Sequence, residues 1–248
     1  MIRERFYRRA PSNYQLNKKI KKLEDEQEIK YKDIWHTISA TRTPDVQGQV
    51  FLLNGTQVGP YVTGERIGSQ IRATSLQLRG YFYIPLLGTL DTPNTDTLRA
   101  PMIRLIVFWV TNPVGTPVIV GNSDTALDGV LDNIIGSTAD NIFAPYQFQS
   151  YPAIKVLYDK TYTFKVPPII RYNDGISANR PESTTPYVMI NKKIKLSRLV
   201  KYNGEQSTIS NMTNNALYMT AISTYDAGSG PGYRIAGQIF SRFCYKDD

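Results

Sequence analysis

From about residue 34 to the C-terminus, the sequence consists of short runs of β-branched and aromatic residues separated by clusters of Gly, Pro, Asn, Asp and Ser. No apolar period of 3.6 residues extends beyond two turns in this region, which argues against long helices. Short strands bounded by turn residues are typical of a β-sandwich or barrel. This pattern constrains the fold more than any other feature of the sequence, and it predicts an all-β domain over residues 33–248.

Eight strands are predicted from these runs. The longest covers residues 67–84, where the apolar positions lie on one parity up to Ala73 and on the other from Leu76 onward. This change of phase predicts a β-bulge near Thr74. Residues 102–110 are apolar on both parities except at Arg104, which predicts a central strand covered on both faces. The other six strands are predicted at residues 34–40, 154–158, 160–166, 191–202, 216–225 and 233–245.

Two long connections, residues 111–152 and 167–186, are rich in Pro, Asn and Gly. Connections of this length in a compact domain are usually functional or interfacial surfaces. Eight strands joined in this way favour a jelly roll, because its Greek-key topology needs long crossings between two sheets. The predicted fold is therefore all-β: an eight-stranded single jelly roll with two four-stranded antiparallel sheets and a short basic N-terminal helical arm.

Basic charge is concentrated in the predicted arm, residues 1–32. The first 22 residues hold eight of the 29 basic groups and one of the 21 acidic groups, so they carry +7 of the net charge of +8. A near-neutral body with a basic arm is typical of a folded unit that binds a polyanion, and nucleic acid phosphates bind Lys and Arg without base-specific geometry. The charge is equally compatible with a role in solubility or import. The predicted nucleic-acid contacts in the arm are Arg3, Arg5, Arg8, Arg9, Lys18, Lys19, Lys21 and Lys22.

A helix is predicted within the arm, from residue 13 to about residue 31. Pro11 and Ser12 are typical of a helix start, and Leu16, Ile20 and Leu23 form a narrow apolar stripe. Glu–Lys pairs four residues apart favour continuation of the helix toward its end. The alternatives are an ordinary amphipathic surface helix and, for residues 18–22, a nuclear import signal.

A second basic cluster lies in the predicted strand at residues 191–202. Lys193, Lys195 and Lys201 share one parity and are predicted to form a basic stripe on one face of a sheet. Such a stripe can contact a nucleic acid backbone. The alternative, equally supported by the sequence, is an edge strand protected by lysines against aggregation.

The sequence offers little for catalysis. His36 is the single histidine and Cys244 the single cysteine, so no set of nucleophile, base and orienting group can be assembled. We expect His36 to be a hydrogen-bonded structural residue and Cys244 an inert core thiol. Three aspartates with helical spacing, Asp124, Asp128 and Asp132, are interpreted as a solvated face rather than a cation site. No catalytic residue, metal site or cofactor is predicted, and the protein is not expected to be an enzyme.

An ordered series of short segments resembles the single jelly-roll coat proteins of satellite tobacco necrosis virus and of small circular single-stranded DNA viruses. The segments are residues 66–71, 76–80, 103–109, 156–160, 199–204 and 216–219. The resemblance implies two sheets with the strand orders B-I-D-G and C-H-E-F. On this mapping residues 191–202 would be strand G and residues 102–110 strand D of the same sheet.

The resemblance also implies a capsid function. Coat proteins of this kind form a small icosahedral (T=1) shell of about sixty identical subunits, whose basic arms point inward at a single-stranded DNA or RNA genome. The expected location is the virion and, during assembly, the host nucleus or cytoplasm, with no membrane partner and no receptor specified. The short, lysine-containing arm is closer to the satellite virus coats than to the longer, arginine-rich arms of circular DNA viruses. The alternative is a cellular β-sandwich that binds glycan or protein and carries an import signal.

Overall fold

In a computed structural model, the structure describes residues 12–14, 16–19, 28–40, 50–59, 64–83, 102–111, 141–143, 154–164, 187–223 and 235–247. Ten strands lie within these residues. They are β1 (Lys30–Ala40), β2 (Val50–Leu52), β3 (Gln70–Tyr83), β4 (Met102–Val110), β5 (Ile154–Thr163), β6 (Tyr187–Lys195), β7 (Leu199–Tyr202), β8 (Met212–Asn214), β9 (Ala216–Ser223) and β10 (Ile235–Asp247). Two short 3-10 helices cover Asn141–Phe143 and Ile209–Asn211.

The strands form two antiparallel sheets. One has six strands, with the order β1-β10-β3-β7-β8 and β6 paired with β3, and the other has the order β2-β9-β4-β5. When β6 and β7 are counted as one interrupted strand and β8 is left aside, lettering in chain order gives B-I-D-G and C-H-E-F. This is the jelly-roll order, so the predicted fold class is confirmed, although the first sheet has six strands rather than four.

The predicted position of residues 102–110 was wrong. These residues form β4, which is strand E of the four-stranded sheet, whereas β6 and β7 belong to the other sheet with β3 as strand D. The error arises from β2, a strand of three residues. Three residues are too few to display a period of two, so β2 was missed and the letters of the next strands were shifted by one. The shift ends at β5, because its division into two predicted strands restored the count.

Two other strand predictions need correction. Residues 154–158 and 160–166 were predicted as two strands, but β5 is continuous and places Tyr158 opposite Val107 and Val156 opposite Phe108. The intervening Leu157 is the extra residue of a β-bulge, which bends the strand without ending it. Conversely, residues 191–202 were predicted as one strand and are interrupted between Lys195 and Leu199.

The bulge predicted in the longest strand is confirmed. In the pairing of β3 with β10, Ser75 lies opposite Cys244 and Ala73 lies opposite Tyr245, so Thr74 is the extra residue. Its hydroxyl donates to the Cys244 carbonyl over 2.9 Å. The buried positions of β3 change parity at this point, from Ile71 and Ala73 to residues such as Leu76.

The core lies between the sheets and is densest around β4 and β9, in which nearly every side chain is buried. The rings of Phe108 and Tyr218 stack across these strands with centroids 5.7 Å apart. Burial of β4 on both parities confirms the prediction of a covered central strand. The buried Arg104 is balanced by Asp159, with two hydrogen bonds of 2.8 and 2.7 Å.

The N-terminal helix is shorter than predicted. Residues 13–14 and 16–19 are helical, and the Leu16 amide donates to the Ser12 carbonyl over 2.9 Å. The predicted continuation to residue 31 was wrong, because β1 begins at Lys30. Pairing with β10 outweighs the local Glu–Lys pairs, and Lys30 forms its ion pair with Asp247 instead, with Nζ and Oδ2 2.6 Å apart.

His36 and Cys244 occupy different environments. His36 is buried, its Nε2 lies 2.8 Å from the Ser241 hydroxyl, and its ring contacts Phe51 of the other sheet. Cys244 was predicted in the core, but it is only partly buried. The core positions of β10 are its neighbours Phe243 and Tyr245, so Cys244 projects from the opposite side of the sheet.

We predict that His36 makes folding sensitive to mild acid. Burial lowers the pKa of His36 from 6.5 to about 4, so the unfolded chain binds a proton between these values that the folded chain does not. Its full contribution to stability is present above pH 6.5 and is lost as the pH falls toward 4, by up to about 3 kcal/mol. Chemical denaturation at pH 7, 5.5 and 4.5 should show a shallower decline for His36→Gln than for the natural protein. Equal declines would contradict this assignment.

Candidate nucleic-acid interface

The six-stranded sheet packs one face against the core, and its opposite face, which we call the open face, carries the alternate residues. In β10, Ile239 and Phe243 are fully buried, so Phe240 and Arg242 lie on the open face. Residues directly opposite each other in a sheet project to the same side. The register of β10 with β1 and β3, and of β3 with β6 and β7, therefore assigns the residues of these five strands to a face.

One end of the open face is cationic. Lys246 lies opposite Arg72, and Arg242 and Lys193 lie on either side of Gln77. Neighbouring strands are about 4.8 Å apart, so these charges form one continuous patch, which we call the cationic end. The basic residues of the open face in β3, β6, β7 and β10 are Arg72, Arg79, Lys193, Lys195, Lys201, Arg242 and Lys246. Asp33, which lies opposite Arg242, is the one acidic residue among the described strand residues of this face.

The three lysines predicted as a stripe do share this face. Lys193 and Lys195 lie opposite Gln77 and Ser75, Lys201 lies opposite Gln70, and all three lysines are exposed. The structure therefore brings them together as the alternation predicted. Their binding of nucleic acid stays a prediction.

Sequence reasoning missed four basic residues of the open face: Arg72, Arg79, Arg242 and Lys246. They come from β3 and β10, and in the sequence their charges are offset by acidic residues elsewhere. In the sequence these basic residues alternate with apolar residues such as Phe243, and this alternation could have predicted that they share one face. The positions of these four residues also bear on the alternative that the basic residues protect an edge strand against aggregation.

That alternative fits the lysines of β6, which pairs only with β3 among the described strands. It does not explain the basic residues of β3 and β10, because these are central strands that need no such protection.

The arm joins the sheet beside the cationic end. Lys30, the first residue of β1, lies opposite Tyr245, one residue from Lys246. Its ammonium group pairs with Asp247 and donates to the Glu65 carbonyl over 3.3 Å. Of the predicted arm contacts, Lys18 and Lys19 are exposed in the helical segment. The others lie outside the described residues: Arg3, Arg5, Arg8, Arg9, Lys21 and Lys22.

A buried arginine fixes the loops behind this end of the sheet. The Arg66 guanidinium donates to the carbonyls of Gly68 and Gly204 and, over 3.2 Å, to that of Thr56. It also lies over the Tyr202 ring, with 4.2 Å between Cζ and the ring centroid. Burial raises the pKa of Tyr202 to about 12, so its hydroxyl stays protonated. These contacts of Arg66 hold Tyr202 in a fixed position, and with it the adjacent Lys201.

The other end of the open face is aromatic. Trp35 and Met189 are 72% and 73% exposed there, and Tyr187 is 66% exposed. The rings of Trp35 and Phe240 meet edge to face with centroids 5.2 Å apart. The open face is therefore divided between a cationic end and an aromatic end, and this combination suits a ligand that has both negative charge and flat apolar groups.

Other kinds of site find little support in the part of the chain that the structure describes. No group of three His, Cys, Asp or Glu side chains in it could hold a metal ion. Asp124, Asp128 and Asp132, which the sequence analysis interprets as a solvated face, lie outside the described residues. No helix among the described residues is long and apolar enough to cross a membrane.

Comparisons with known proteins give little further information. No family model matches the chain, and no curated protein matches it. Solved chains that match include one from cocksfoot mottle virus, at 13% identity and a TM-score of 0.22, with 88% of this chain and 96% of that chain covered. Another comes from the semi-empty virus-like particle of Macrobrachium rosenbergii nodavirus, at 14% identity and a TM-score of 0.14, with 90% and 96% covered. TM-scores of this size carry no argument, and the jelly-roll assignment rests on the strand order.

We predict that the three lysines of the open face contact phosphates. Replacing Lys193, Lys195 and Lys201 with Gln should weaken binding of a short single-stranded oligonucleotide. The slope of log affinity against log salt should become shallower by about 2, because each phosphate contact contributes about 0.7 for single strands. Fluorescence anisotropy over a salt series measures both effects.

The matched control replaces three lysines that are exposed but project elsewhere. Lys155 and Lys160 belong to β5 of the other sheet, and Lys192 lies on β6 with the parity opposite to Lys193. This triple variant has the same change in net charge and should keep most of the salt dependence. If both triple variants lose the same slope, overall charge rather than the open face governs binding, and the prediction is wrong.

Proposed function

We propose that this chain is a viral coat protein that assembles into a small icosahedral shell and packages a single-stranded nucleic acid. The observation that carries the proposal is where the arm joins the sheet. β1 begins at Lys30, beside the cationic end of the open face, and the first 22 residues of the arm carry a charge of +7. With positive charge on both sides of this junction, arm and sheet can bind the same polyanion, as a protein that encloses nucleic acid requires.

The finer points of the proposal rest on the sequence resemblance to coat proteins of satellite tobacco necrosis virus and of circular single-stranded DNA viruses. We propose a T=1 shell of about sixty copies, whose arms of +7 would neutralise about 420 phosphates. The proposed location is the virion, preceded by assembly in the host nucleus or cytoplasm. The role is structural and requires no catalytic group. DNA and RNA satisfy it equally, because phosphate contacts do not distinguish them.

Negative-stain microscopy combined with removal of residues 1–22 tests this function. The natural protein should form uniform particles that contain nucleic acid. The truncated protein keeps β1 intact, since that strand begins at Lys30, and should form empty particles or none, with a large loss of nucleic acid at low salt.

The control for truncation keeps the arm and changes only its charge, by replacing Lys18, Lys19, Lys21 and Lys22 with Gln. This variant should lose part of the packaged nucleic acid, because four of eight basic groups are removed from the arm. A monomer under all conditions, or undiminished packaging after truncation, would contradict the proposal. A monomer that binds a glycan or a protein would support the cellular β-sandwich instead.

A further inference from the structure

The aromatic end of the open face has features that phosphate binding does not require. Trp35 exposes a large flat ring on β1, and its row across the sheet continues through Phe240 and Arg79 to the exposed Asn191. A tryptophan with nearly three quarters of its surface exposed is unusual for a soluble domain, since burying such a ring is favourable. An exposed ring in a fixed row suggests a ligand that covers it.

The ring is held in place by a stack of side chains along the open face. The Arg242 guanidinium lies over the Tyr31 ring at 4.5 Å and over the Phe240 ring at 5.8 Å, and Phe240 supports Trp35 edge to face. Asp33 fixes Arg242 with two hydrogen bonds of 2.8 and 2.6 Å. The stack orients Trp35 before any ligand arrives, which reduces the entropy lost on binding.

We propose that Trp35, supported by Phe240, stacks against an unpaired base of a single-stranded nucleic acid whose phosphates lie on the cationic end. Arg242 lies one strand across from Trp35 and two residues along, which is about 4.8 Å across the strands and about 6.7 Å along them; Lys193 shares the row of Arg242 and lies two strands farther across the sheet. A nucleotide whose base stacks on Trp35 can therefore place its phosphate beside Arg242, and the rest of the strand can cross the sheet toward Lys193. This inference rests on the proposed function and adds to it a base-stacking site on the folded domain, separate from the arm.

Charge argues against the other occupants of this face. A second copy docked on the same surface would place one cationic patch against another, and the chain's own arm carries +7. Duplex nucleic acid has the charge but keeps its base faces inside the stack, where a flat sheet cannot reach them. Single strands offer phosphates and exposed base faces together, which is the combination that aromatic and basic platforms bind.

The intrinsic fluorescence of the full-length protein tests this site. The chain has two tryptophans, and Trp109 is buried in the core while Trp35 is exposed. Ten-nucleotide oligothymidylate should quench the emission, whereas a ten-unit abasic deoxyribose-phosphate oligomer and a ten-base-pair duplex should bind without quenching. In Trp35→Phe, the remaining emission of Trp109 should not respond to any of the three.

Affinity provides the second readout. Trp35→Ala should weaken oligothymidylate binding about tenfold, in line with the loss of one stacked base, and leave binding of the abasic oligomer unchanged. The matched control is Phe143→Ala, which removes an aromatic ring that is 68% exposed on a 3-10 helix in contact with β4 of the other sheet. It should leave both affinities unchanged.

The outcomes separate this inference from the proposed function. Particles that package nucleic acid normally, with no quenching by oligothymidylate and no loss of affinity in Trp35→Ala, would overturn the stacking site alone. Equal quenching by the abasic oligomer would also overturn it. If Trp35→Ala binds oligothymidylate normally but fails to assemble, a second copy covers the ring and the inference is wrong. Quenching by oligothymidylate in a protein that forms no particles would support the site while contradicting the capsid function.

Discussion

The arrangement of the six-stranded sheet depends on one extra residue, Thr74. Without an extra residue, β3 would alternate strictly over its whole length. The apolar residues before Thr74 and those after it would then point to opposite faces of the sheet, and one of the two groups would lie away from the core. The bulge at Thr74 changes the parity, so Ile71 and Leu76 face the same core although they are five residues apart. By the same shift, Arg72 and Arg79 both reach the open face. The cationic end exists as a single patch because of this bulge.

The neighbouring strands are built around the same point. The Leu196 amide donates to the Thr74 carbonyl over 2.9 Å, and the Ala73 amide donates to the Arg198 carbonyl over 2.8 Å. Thus the interruption between β6 and β7 lies beside the bulge, and its backbone groups are satisfied across it. The interruption preserves the parity of Lys195 and Lys201, which keeps both on the open face.

The hydrophobic pattern within a strand is strong local information. Alternation predicted the bulge at Thr74 and the grouping of Lys193 with Lys201, and apolar residues on both parities predicted the covered strand β4. Features set by distant residues were not predictable in this way. β2 is too short to show a period, and Lys30 belongs to β1 rather than to the predicted helix because it pairs with residues of β10, including Asp247, which is 217 residues away in the chain. The cationic end combines residues from four strands, so only the register reveals that Lys246 lies beside Arg72. The exposure of Trp35 was likewise not predictable from the sequence, since an aromatic residue in a strand can equally be buried, as Trp109 is.

The two sheets therefore differ in role. In the four-stranded sheet, β4 and β9 are buried on both faces, whereas the six-stranded sheet leaves one face open, with its charge and its exposed rings on the side away from the core. The central claim is that this open face and the arm together enclose nucleic acid inside a shell. Electron cryo-microscopy of particles assembled with single-stranded nucleic acid tests it most directly. The account predicts that the open face lines the interior, with nucleic acid density against Trp35 and Lys193. An open face on the outer surface of the particle, or buried in contacts between subunits, would contradict it.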